Sequence, residues 1–197
     1  MGKTMAELFK QTGPAILITH SNSGQYGWAT AMTAPEPVKA IVAYEPGACA
    51  FPQSDCPTDL EPSELAQCNE RQAPQVVSDK EFQKLTRIPI IIVFGDHVAT
   101  EKSDNFNSEV WRVAKKRARQ FVETINRHGG DATLLVLPEI GIQGNTHAAF
   151  ANFNNLEVAD LLEQFLQAKG LDGYENPHAG PKITKASKQL SKSTPSL

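Results

Sequence analysis

The sequence is poor in the residues that build several whole classes of protein. Its 197 residues hold three cysteines, two tryptophans and three methionines. Cys49, Cys56 and Cys68 form no C-x-x-C pair, and no histidine stands at zinc-like spacing from them, so no metal site is expected. An odd count leaves room for one internal disulfide at most. Cys49–Cys56, Cys56–Cys68 and three ordinary loop thiols all stay open. No apolar run approaches the roughly 18 residues that cross a bilayer, so no membrane span is expected. Met1-Gly2-Lys3-Thr4 opens no apolar export signal, which leaves the location open. The net charge of −3 hides four lysines (Lys182, Lys185, Lys188, Lys192) in an acid-free end, so the remainder stands at about −7. That balance offers no basic face for nucleic acid. No glycine-rich phosphate loop occurs either, and no organic cofactor is expected. A flavodoxin-like binding module would need such a loop after the first strand, and Ser21-Asn22-Ser23-Gly24 fits that role only crudely.

What is present is a set of four short apolar runs, at residues 14–19, 38–44, 88–94 and 132–137. They are rich in Ile, Val and Leu and lack polar alternation, as strands buried on both faces of a parallel sheet do. Helical spacing covers residues 5–11, 24–32, 108–128 and 156–169. In the third of these Val110, Trp111, Ala114, Ala118, Phe121, Val122 and Ile125 recur on one face. Strands alternating with helices predict an α/β fold, a parallel sheet with helices on both faces. Residues 1–172 read as one domain. The proline- and acid-rich stretch 48–87 reads as an insertion, an excursion above the sheet that could form a partial lid. Residues 173–197 read as a disordered basic tail.

The chemistry concentrates at Ile16-Leu17-Ile18-Thr19-His20-Ser21-Asn22-Ser23-Gly24. A buried strand runs into a polar cluster and at once into a helix. This is the setting of a nucleophile elbow, where a serine on a sharp turn stands exposed above the strand ends. The same residues would serve equally as an ordinary helix-capping loop. Small neighbours two positions away suit the turn. Thr19 and Ser23 hold those places, and the branched Thr19 is the poorer fit. With Ser21 as nucleophile, the backbone N–H of Asn22 would be an oxyanion donor at a helix N-terminus.

A serine nucleophile needs a base, and the base needs an orienting carboxylate. Asn145-Thr146-His147 follows the last strand through a glycine-containing loop, which places His147 over the strand ends. His20 adjoins Ser21 and is expected to point away from it. His97 fits only as a pocket residue, His128 lies at a helix end, and His178 lies in the tail. Two carboxylates compete for the acid. Asp96 ends the third strand in Phe94-Gly95-Asp96-His97, and Glu45 ends the second in Ala43-Tyr44-Glu45-Pro46-Gly47. Both lie at carboxyl ends of parallel strands, where open α/β sheets place their sites.

Taken together, residues 14–21, Ala43-Tyr44-Glu45-Pro46-Gly47 and Gly144-Asn145-Thr146-His147 resemble a subfamily of bacterial and fungal α/β-hydrolase esterases. The resemblance covers roughly residues 4–172. It implies the C-terminal half of that fold and a triad of Ser21, His147 and Glu45, with the acid after the strand that follows the nucleophile strand. It implies a small-molecule ester substrate, an acyl-enzyme, no metal and no cofactor. Asn22-Ser23 departs from the family, which typically has glutamine and then a small residue. In that fold the nucleophile follows the fifth strand, whereas here it is residue 21. The chain is therefore expected to be a fragment, a truncated product or one part of a larger assembly, weakly active or inactive alone. An exposed edge on its first strand would then be a site of pairing with itself or a partner.

Overall fold

The computed structural model describes residues 2–58, 63 and 65–173. The basic end of the expected tail, residues 174–197, lies outside the described residues. The chain begins with helix α1 (Gly2–Thr12), strand β1 (Ala15–His20), a 3-10 turn (Ser21–Ser23) and helix α2 (Gly24–Thr33). Strand β2 (Val38–Tyr44) leads to β3 (Ala50–Pro52), α3 (Ala66–Arg71), β4 (Gln75–Val77) and α4 (Asp79–Leu85). Then come β5 (Ile90–Phe94), α5 (Phe106–Arg127), β6 (Ala132–Val136) and, after two short 3-10 turns, α6 (Asn155–Ala168).

The main sheet has the order β1-β2-β5-β6, with every pair parallel. These are the four apolar runs of the sequence, displaced by at most two residues at either end. β2 and β5 are the inner strands, which is why their apolar runs show no alternation. Ile41, Ala43, Ile90, Ile92 and Phe94 face a core that contains Trp28 of α2 and Phe121 of α5. Ala40, Val42, Tyr44, Ile91 and Val93 face Val158 and Phe165 of α6. Among the described residues, helices cover both faces, but unequally, and α6 is the one helix on the second. At β1 that second face is left open, and Ile18 is 61% exposed.

Residues 48–87 do more than arch over the sheet. β3 and β4 form a separate parallel pair, and Phe51, Phe82 and Leu85 enter the main core beside Phe121. Ser78 caps α4 by accepting the Glu81 N–H at 3.3 Å, while the Glu81 carboxylate returns to the Ser78 hydroxyl at 2.8 Å. All three cysteines are free, so neither disulfide forms. Cys49 and Cys68 are buried rather than exposed loop thiols, and burial pushes the Cys49 thiol up to about 12. Among the described residues no helix is long and apolar enough to cross a membrane.

Candidate active site

The sharp turn after β1 is real and strained. Ser21 has φ +55°, in the left-handed region that a non-glycine residue seldom adopts. Two neighbours hold it there. The Ser23 hydroxyl accepts the His20 N–H at 2.8 Å and donates to the His20 carbonyl at 2.7 Å, closing the turn on itself. The Gly47 N–H donates to the Ser21 carbonyl at 3.0 Å, tying the turn to the segment after β2. Thr19 is accommodated by a glycine on the facing helix. A Cβ on Gly27 would lie 3.0 Å from the Thr19 methyl, so the space that a small residue would leave in the strand is supplied by α2. Asn22 follows in the first turn, where backbone N–H groups have no partner within a helix. Its side-chain oxygen accepts from Gln25 at 2.8 Å.

At the end of the neighbouring strand, Glu45 also has a positive φ, +41°. Its N–H still donates to the Val93 carbonyl at 2.8 Å, so the sheet grips the residue while the chain turns away into Pro46-Gly47. The side chain is 2% exposed. Its Oε1 accepts the Gly95 N–H at 2.8 Å, and its Oε2 lies 2.6 Å from His147 Nδ1. Burial raises the Glu45 carboxyl above its ordinary range, opposed by the bonds from His147 and Gly95 and by the charges of both nearby imidazoles. Gly95 is needed where it stands. A Cβ there would lie 2.9 Å from the Thr146 carbonyl oxygen and 3.2 Å from Glu45 Oε1.

Asp96, the competing acid, does not reach the ring. It accepts the His97 N–H at 2.8 Å and the Gly144 N–H at 3.0 Å, and these backbone bonds hold its carboxyl below the usual range. Its own N–H donates to the Asn145 carbonyl at 2.9 Å. Asp96 thus braces the loop that carries His147. His97, the pocket candidate, is exposed beyond it.

The His147 loop is stiffened further by asparagines. Buried Asn145 exchanges amide hydrogen bonds with Asn154 at 2.7 and 2.9 Å, and Asn152 accepts the Thr146 N–H at 3.0 Å. Trp111 of α5 packs on the His147 ring with centroids 4.1 Å apart. The indole is positioned by the buried start of α5. There Glu109 pairs with Arg112 at 2.7 Å and accepts the Ser103 N–H at 3.1 Å, and the guanidinium holds the Glu109 carboxyl down at about 2. Trp111 also lines a cavity of about 330 Å³ together with Ser21, Asn22, Gln25 and Gln75. The indole thus packs on the His147 ring and lines the same cavity as Ser21. No direct hydrogen bond joins Ser21 Oγ to the His147 ring among the described residues, a contact that often closes only around substrate.

Sequence reasoning missed Trp111, Gly95 and the asparagine brace, and it set His20 aside. His20 adjoins Ser21, yet its Nε2 lies 2.9 Å from the His147 carbonyl oxygen. The Trp111 stripe position was visible, but as core; nothing local marks a core-face aromatic as the wall of a site.

No family model matches the chain. It is 28% identical over 192 residues to a protein named as probable secreted lipase phiG of Fungal sp. (strain ATCC 74256), covering 84% of this chain and 49% of that protein. It superposes on a bacterial esterase of known structure with TM-score 0.63 and 28% identity, covering 85% of this chain and 42% of that one. Paleococcus ferrophilus monoacylglycerol lipase superposes more loosely, at 13% identity and TM-score 0.48, covering 84% of this chain and 74% of that one. The chain spans about half the length of the curated relative it matches. With its parallel sheet, the sharp turn after β1 and its likeness to the secreted lipase and the bacterial esterase, the chain is similar to α/β-hydrolase esterases and carries part of that fold.

Proposed function

We propose that this chain carries the catalytic centre of a serine-dependent carboxylic-ester hydrolase, with Ser21 as nucleophile, His147 as general base and Glu45 as its orienting acid. The observation that supports it most is the 2.6 Å contact between Glu45 Oε2 and His147 Nδ1, at the rim where Ser21 stands with a left-handed backbone. A carboxylate only accepts, so Nδ1 carries the proton and Nε2 keeps the lone pair that a base needs. His147 then takes the Ser21 proton as Oγ attacks the ester carbonyl. The Asn22 N–H receives the developing oxyanion. His147 gives its proton to the leaving alcohol, and water, deprotonated by the same imidazole, releases the acyl group. Glu45 stabilises the imidazolium in both halves. The substrate is a small-molecule ester. A fluorophosphonate probe tests the assignment. Wild type is modified at Ser21, and modification that persists in Ser21→Ala would remove Ser21 from the mechanism.

A second reading, a non-catalytic module that pairs through its sheet edge, is favoured by one observation. β1 is an outer strand, and Ile18, Phe150 and Leu156 stand exposed around a cavity of about 580 Å³ beside it. Concentration-dependent oligomers in sedimentation, unchanged by Ser21→Ala, would support it. A strictly monomeric, well-folded chain would count against it.

A further inference from the structure

We propose that His20 is a positioning residue for the general base: it grips the backbone of His147 and so sets where the imidazole is attached. The inference rests on the Ser21–His147–Glu45 reading. His20 Nε2 lies 2.9 Å from the His147 carbonyl oxygen. A carbonyl can only accept, so Nε2 carries the proton and donates. The two rings lie with centroids 4.5 Å apart, and the edge of Phe150 closes the other side of His20 at 5.1 Å. At its own backbone His20 is clamped by the Ser23 hydroxyl on both N–H and carbonyl.

The residue bonded to the nucleophile therefore holds the base by its main chain. The register between Ser21 and His147 is set by this link even while no Ser–His hydrogen bond is made. Glu45 orients the far side of the His147 ring, and His20 fixes where that ring is attached.

The test is the rate of Ser21 modification by a fluorophosphonate in wild type, His20→Leu and His20→Gln, with melting curves alongside. Leucine removes the donor and is expected to slow modification on the order of 10–100-fold, as sub-ångström to ångström misplacement does. Glutamine brings an amide nitrogen to about the Nε2 position. It should restore the rate to within a few-fold. A leucine variant with wild-type rate overturns the inference. So do leucine and glutamine variants equally slow, which would mean packing alone. Wild type unmodified at Ser21 overturns the triad reading and this inference with it. Nitrogen-15 histidine spectra of the unmutated chain give a check free of folding defects: His20 must be the Nε2–H tautomer, and an Nδ1–H signal overturns the proposal.

Discussion

The ends of β2 and β5 are adjacent, parallel and each finished by a carboxylate, yet they are opposite environments. Glu45 is shut inside, its carboxyl raised by burial, with one oxygen on the His147 ring. Asp96 stands partly open, its carboxyl lowered by the Gly144 and His97 N–H groups, and bonds the loop that carries the ring but not the ring itself. A place at the carboxyl end of a strand therefore does not decide which carboxylate meets the imidazole. The path of the chain just after the strand does. At Glu45 a positive φ turns the backbone away and leaves the side chain under His147, whereas after Phe94 the compact Gly95 lets the His147 loop pass directly overhead.

The comparison can be broken or sharpened by substitution. Ser21→Ala should have the largest effect, abolishing probe modification and reducing any ester hydrolysis by about 10⁴ or more. Glu45→Gln comes next, with a fall in modification rate on the order of 10²–10⁴. Its amide oxygen would take the Gly95 N–H and its NH₂ would face Nδ1, driving the ring proton to Nε2 and removing the base. The same variant should melt no lower than wild type. A raised folded-state pKa makes a stability contribution present at low pH and lost as pH rises through that value, and an amide has no such loss. A clear drop in melting temperature at neutral pH would contradict this account of Glu45. Gly95→Ala should cost about 10–100-fold in modification rate, because its methyl group would push the Thr146 carbonyl and the Glu45 carboxylate apart.

Asp96→Asn should do least, under about tenfold, since an amide oxygen can still accept the Gly144 N–H. Its pH signature has the reverse sign. A lowered carboxyl contributes stability above its unfolded pKa and loses it as pH falls through the folded one, so wild type and Asp96→Asn should converge in acid. An Asp96→Asn variant as slow as Glu45→Gln would erase the distinction between the two strand ends.

Much of this was legible beforehand, for identifiable reasons. β2 and β5 are read from uninterrupted runs such as Ile90-Ile91-Ile92-Val93-Phe94 because both faces are buried, and burial acts residue by residue. The elbow is read from a strand running straight into a helix. Thr19 reads as an obstacle only because Gly27, eight positions on, is invisible to a local pattern. β3 and β4 escape detection because each has three residues and is held by its partner across the intervening chain. His20 is set aside because adjacency to Ser21 says nothing of a residue 127 positions away.

The sequence by itself determined the α/β class, the four parallel strands in their places, and Ser21 and His147 as the pair to examine. Those follow from period, apolar runs and turn chemistry, which are local properties of a chain. Only the tertiary structure put Glu45, and not Asp96, against the His147 ring, returned the insertion's aromatics to the core, and set Trp111 and His20 against the imidazole. Those outcomes depend on which surfaces meet once the sheet has closed its hydrogen bonds. Contacts of that kind, with burial raising one carboxyl while backbone N–H groups lower its neighbour, exist only in three dimensions.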